Sequence, residues 1–156
     1  MLYYVETFHI IHGDLCFANM MIDNNFSFIK LIDPRGKFGD YDIYGDTRYE
    51  LAKLMHSVEG KYDFIIKDLC EVNYDLENSK IVYSIVDKHR RCELYEIFLN
   101  VFKEEIGNDL KKIRLIEALL FFNMIPLHKE SITHQMAMLG TAIELLDKVM
   151  QDDDLI

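Results

Sequence analysis

A chain of 156 residues, half of them hydrophobic, is long enough to bury the core of one domain. Its formal net charge of −10 argues against nucleic acid or an anionic membrane as the main partner, because both require a basic surface. Cys16, Cys70 and Cys92 form neither a CxxC pair nor a disulfide framework, MLYYVETFHII does not read as a convincing signal peptide, and no apolar run approaches the roughly 20 residues that span a bilayer. The expectation is a chain with reduced thiols in the cytoplasm.

Taken in order, residues 2–11 read as the end of a helix, although alone they also fit a strand. Met20-Met21-Ile22 and Phe28-Ile29-Lys30-Leu31-Ile32 read as strands, and Asp23-Asn24-Asn25 between them is turn chemistry, so a short hairpin is expected. Pro34 to Gly39 is irregular. A helix starts near Asp46, with Thr47 as N-cap and Glu50 three residues on in the spacing of a capping box. Leu51, Leu54, Met55 and Val58 form its apolar stripe and Gly60 closes it.

Residues 61–71 fit a further short helix. Residues 74–86 are ambiguous, Ile81 to Val86 having strand composition. A long helix is expected over 88–106, with Leu94, Ile97, Phe98, Val101 and Phe102 on one stripe and Gly107 at its end. Lys88-His89-Arg90-Arg91 would be its solvated start. Another helix runs from Asp109 to Ile125 and stops at Pro126. A last one covers 133–150, with Met136, Leu139, Ile143 and Leu146 on one face and a frayed acidic tail after it. His128, His134 and the methionines of this segment read as core or surface features, and His9 with His12 lacks the further ligands of a zinc site.

Three blocks carry chemistry. The first is His12-Gly13-Asp14-Leu15-Cys16-Phe17-Ala18-Asn19, the second Leu31-Ile32-Asp33, the third Gly45-Asp46-Thr47-Arg48-Tyr49-Glu50-Leu51-Ala52. A four-residue loop between Asp14 and Asn19 can point both side chains into one cleft, and a strand pair can return Asp33 to it. Phosphoryl transfer uses such a set: a carboxylate beside the attacking hydroxyl and oxygen ligands holding Mg²⁺ against nucleotide phosphates.

The ordered blocks resemble the aminoglycoside phosphotransferase and choline kinase family, a branch of the protein-kinase-like fold. HGDLCFAN matches its HGDLxxxxN, and GDTRYELA is similar to its GDxxYDLA. The resemblance covers residues 12–52. The helical remainder suits the family's C-terminal lobe without a signature of its own. The implied fold is mainly α with a small β-hairpin: one C-terminal lobe over 1–156, with the catalytic loop and metal site at 12–33 and a helical subdomain at 46–150. The implied reaction moves the γ-phosphate of ATP or GTP, with Mg²⁺, to a hydroxyl of a sugar, an aminoglycoside or an amino alcohol. By the same resemblance Asp14 is the catalytic carboxylate, and Asn19 and Asp33 hold the metal. His12 and Gly13 shape the loop. Asp46 supports the site by bonding back to the loop amides, caps the helix, or does both. Arg35 and Lys37 either contact a phosphate or polar substrate or belong to a solvated loop, and Pro34-Arg35 departs from the family's commoner sequence after the Asp.

Eleven residues before His12 cannot form the family's N-terminal lobe, with its phosphate-covering loop and Lys. The chain is therefore expected to be a lobe without its nucleotide-binding partner. That expectation keeps two rivals open: a non-catalytic remnant acting as a binding module, and a metal-dependent hydrolase built on Asp14, Asn19 and Asp33. It also places an exposed apolar surface on the hairpin, around Met20, Met21, Phe26 and Phe28.

Overall fold

The computed structural model describes residues 8–86 and 92–151. It is mainly helical, with three small antiparallel strand pairs. Strand β1 (His9–Ile10) pairs with β4 (Tyr44–Gly45), β2 (Met20–Ile22) with β3 (Ile29–Leu31), and β5 (Cys70–Asp75) with β6 (Lys80–Ile85). The helices are α1 (Thr47–Val58), α2 (Tyr62–Ile65), α3 (Cys92–Val101), α4 (Lys103–Ile106), α5 (Leu110–Met124) and α6 (Ile132–Gln151). Among the described residues, no helix is long and apolar enough to cross a membrane.

The β2–β3 hairpin forms where its turn chemistry places it. Asp23 accepts hydrogen bonds from the amides of Asn25, Ser27 and Phe28, and these bonds with the Ser27 hydroxyl hold its carboxyl below the usual range. Met21, Ile22, Phe26, Phe28, Ile29 and Leu31 are exposed, whereas Met20 turns inward against the core. The expected apolar surface is thus present, without Met20.

Two apolar clusters share α5. Leu51, Leu54, Met55 and Val58 of α1 meet Phe98 of α3, Ile106 of α4, and Ile113 and Leu120 of α5. On the other side of α5, Ala118 and Phe121 meet Ile65, Cys70, and Ala137, Met138, Ala142 and Leu145 of α6. The β5–β6 hairpin closes this second cluster with Val72, Tyr83 and Ile85, and Gly140 admits the Tyr83 ring, which would lie 2.6 Å from a Cβ there.

Several elements differ from their sequence reading. His9–Ile10 is a strand and not a helix end, because Tyr44–Gly45 offers it an edge; residues 1–7 lie outside the described part. Asp46, not Thr47, is the N-cap of α1, accepting the Arg48 amide at 2.9 Å. The stretch 61–71 holds only one turn of helix before β5 begins at Cys70. The long helix breaks at Phe102 into α3 and α4, and the basic run 88–91 is outside the described residues. Helix α6 buries His134, Ala137, Met138, Thr141, Ala142, Leu145 and Val149, while Ile143 is exposed. Small side chains let α6 approach α5 closely, so close packing outranks the larger apolar stripe.

His56 and Glu117 lie fully inside. His56 is sandwiched between Phe121 and Tyr62, with ring centroids 4.1 and 4.4 Å away, and burial holds its imidazole well below its ordinary value. Burial, aided by the charge of Glu59, pushes the Glu117 carboxyl well above its ordinary value. A raised carboxyl contributes stability that is fully present below its unfolded value of about 4.3 and is lost as pH rises towards the folded value. Replacing Glu117 by Gln therefore gains stability relative to the native chain as pH climbs from 5 to 8. Urea unfolding of both proteins across that range checks this; a difference that stays constant with pH contradicts it.

Candidate active site

In the segment from Ile11 to Asn19 the amides of Ile11, Cys16 and Asn19 go to backbone carbonyls, while those of His12, Gly13, Phe17 and Ala18 go to side chains of two helices. Glu50 of α1 accepts the amides of His12 at 2.9 Å and Gly13 at 2.7 Å. Ser57, two turns further along α1, accepts the Phe17 amide at 3.1 Å, and Asp63 of α2 accepts that of Ala18 at 3.0 Å. The His12 ring accepts the Asp14 amide on Nδ1 and reaches the Ile32 carbonyl with Nε2 at 2.9 Å, which ties the loop to the end of β3. Gly13 has φ +78°, and a Cβ there would lie 2.8 Å from the Arg35 side chain. Both conditions require glycine.

This scaffold brings Asp14, Asn19 and Asp33 to the wall of one cleft of about 810 Å³. The Asn19 amide nitrogen donates to the Asp14 carbonyl at 2.8 Å and to its Oδ2 at 3.0 Å. The Asn19 amide oxygen is then the atom turned to other partners. Asp33 is exposed and sits at φ +55°, directly after the apolar strand. Lys53 of α1, almost completely buried, places its Nζ 2.7 Å from Asp14 Oδ1. Asp14 therefore has one oxygen on an ammonium and the other on an amide.

Arg35 lines the same cleft, donating to the Tyr49 hydroxyl at 2.8 Å with its guanidinium carbon 5.6 Å from the Phe38 ring centre. Lys37 does not line the cleft. Asp46 is given over to capping α1 and pairing with Arg48 at 2.6 Å; the loop amides it was expected to reach belong to Glu50. Apart from Asn123, the rest of the wall is mostly apolar or aromatic, including Tyr62, Ile66, Leu120, Met124 and Leu127. Burial first, and then the Asp14 charge, push the Cys16 thiol up, so it stays protonated near neutral pH and offers no thiolate. Burial raises the Tyr62 phenol to about 12.

Sequence reading finds Asp14, Asn19 and Asp33 but misses Glu50, Lys53, Ser57 and Asp63. Three of the four occupy positions i, i+3 and i+7 of α1, a polar stripe on a helix that is buried all round. A charged residue set between Leu51-Ala52 and Leu54-Met55 is the signal that was available.

An oxygen donor pair made of a carboxylate and an amide carbonyl suits a hard divalent cation such as Mg²⁺, and Arg35 gives the cleft a cation for an anionic ligand, Lys53 being paired with Asp14. The donor chemistry is thus compatible with both groups that the resemblance implies.

Changing Glu50 to Ala removes the acceptor of two amides. The expected loss is about 1–3 kcal/mol for each group left without a partner. Chemical unfolding measures the total and amide exchange at His12 and Gly13 locates it. Unchanged stability with unchanged protection of those amides would contradict this role. Comparison of the chain with protein-family models, with curated proteins and with solved structures found no significant match.

Proposed function

We propose that this chain is the catalytic-loop lobe of a kinase-like phosphotransferase, acting with ATP or GTP and Mg²⁺ on a hydroxyl of a small molecule such as a sugar, an aminoglycoside or an amino alcohol. The observation that supports it best is the convergence of Asp14, Asn19 and Asp33 on one cleft, from a loop and a strand end that are distant partners of the same scaffold. On this reading the free edge of Asp14 orients the substrate hydroxyl and receives its proton. Lys53 fixes that carboxylate and Asn19 fixes its second oxygen. Asn19 and Asp33 would hold the metal, which when bound neutralises phosphate charge and positions the transferred group. Arg35 offers a cation to the anionic ligand from the loop after Asp33, while Lys37 is outside the cleft. The apolar wall near Leu120, Met124 and Leu127 would exclude water from the acceptor.

A second reading, a binding module without catalysis, is favoured by the exposed apolar face of the β2–β3 hairpin, where Phe26 is 84% exposed and Phe28 61%. In the first reading that face seats a nucleotide-covering lobe; in the second it seats a protein partner.

Titration with Mg²⁺-ATP and Mg²⁺-GTP separates them. The phosphotransferase reading expects binding that requires the metal and falls at least tenfold in Asp33→Ala. Asp14→Asn should retain binding and lower any turnover by about 10²- to 10⁴-fold. Nucleotide binding that ignores both Mg²⁺ and Asp33 would contradict it, and no binding at all would favour the second reading.

A further inference from the structure

The corner between the 3-10 turn at Ile125–Leu127 and α6 carries His128, Glu130 and His134. None of the three has a part in the chemistry at Asp14. One ring nitrogen of each histidine and one carboxylate oxygen of Glu130 lie within 4.8 Å of one another. His128 Nδ1 and Glu130 Oε1 are already 3.1 Å apart.

The buried member is the informative one. The His134 side chain is 9% exposed and its Nε2 meets Asp68 Oδ1 at 2.8 Å. Its Nδ1 is buried with no hydrogen-bond partner. A buried imidazole nitrogen without a partner is costly unless something else takes its lone pair. A carboxylate on the opposite ring nitrogen is the support that metal-binding histidines commonly have. His128 is arranged in the same way, with Nε2 3.4 Å from the Tyr62 hydroxyl and Nδ1 towards Glu130. Each ring thus has a partner outside the trio on its Nε2.

We propose that His128, Glu130 and His134 bind a divalent transition-metal ion, with Zn²⁺ the best chemical match. Two imidazoles and one carboxylate form a mixed nitrogen–oxygen set that suits Zn²⁺, whereas Mg²⁺ and Ca²⁺ prefer oxygen alone. Ligands at about 2.0–2.2 Å from a tetrahedral ion sit closer together than the present spacing, so binding draws the exposed Glu130 inward. The N-terminal end of α6 repels a cation, and the carboxylates of Glu130 and Asp68 offset that repulsion. Three protein ligands leave a fourth position open. The ion would tie the start of α6 to Tyr62 and Asp68, and Tyr62 and Leu127 also line the main cleft. This proposal does not rest on the phosphotransferase reading.

The test is titration of the full chain with Zn²⁺ by calorimetry and with Co²⁺ by visible absorption. One ion per chain is expected, with the absorption of a low-coordinate nitrogen–oxygen site. Glu130→Ala and His128→Ala change residues that are not part of the buried core, and each should weaken Zn²⁺ binding at least tenfold. His134→Ala should do the same, with circular dichroism showing that the fold is kept. Asp68→Ala should weaken binding by a smaller factor, and His9→Gln should leave it unchanged. Absence of saturable one-to-one binding in the native chain, or equal affinity in Glu130→Ala and His128→Ala, would overturn the proposal.

Discussion

The carboxylate of Glu50 is the constraint on which the cleft depends. A loop that must present Asp14 and Asn19 cannot also run as regular strand or helix, so its amides need acceptors from elsewhere. Glu50 takes two of them from inside α1, and Ser57 and Asp63 take two more. Hydrogen bonds to a charged acceptor are worth more than neutral ones, about 1.5–3 kcal/mol each. The loop is therefore held by the same helix that supplies Leu51, Leu54 and Met55 to the core. Site geometry and core packing are thereby one structure, and a change in α1 is felt in both.

The same helix sets the electrostatics. Lys53 is nearly completely buried, while the Asp14 side chain remains 43% exposed. Removing Asp14 would leave a buried ammonium without its counter-charge, and such losses cost about 3–5 kcal/mol when the partner is fully desolvated. The open side of Asp14 faces the cleft, so part of that cost is relieved by solvent. The pairing is thus better understood as a device that fixes the direction of a carboxylate than as a source of stability. Of the deeper polar groups, burial pushes the His56 imidazole down and the Glu117 carboxyl up, and neither lines the cleft.

Much of this was legible in the sequence where local chemistry decides the structure. Asp23-Asn24-Asn25 specifies the β2–β3 turn, the apolar period of 47–58 specifies α1, and Asp109 and Pro126 bracket α5. The spacing of Asp14, Asn19 and Asp33 places them in one cleft. What was not legible depends on distant partners. Strand β1 exists because Tyr44–Gly45 lies alongside it. Glu50 looks like the end of a capping box until the loop is folded against it. The buried face of α6 includes Ala137, Gly140, Thr141 and Ala142 beside Met138 and Leu145; these small residues carry little hydrophobic signal, and Gly140 leaves room for the Tyr83 ring. His128, Glu130 and His134 read as ordinary surface and core residues, because only the fold reveals that one histidine nitrogen is buried without a partner.

The proposed phosphotransferase role stands on whether a metal–nucleotide pair sits between Asn19 and Asp33. Paramagnetic broadening in nuclear magnetic resonance tests this most directly, with Mn²⁺ replacing Mg²⁺ in the presence of ATP or GTP. The account predicts that the backbone signals of Asp14, Asn19 and Asp33 broaden first, and only when nucleotide is present. Broadening confined to residues remote from this cleft, or none at saturating nucleotide, would contradict it.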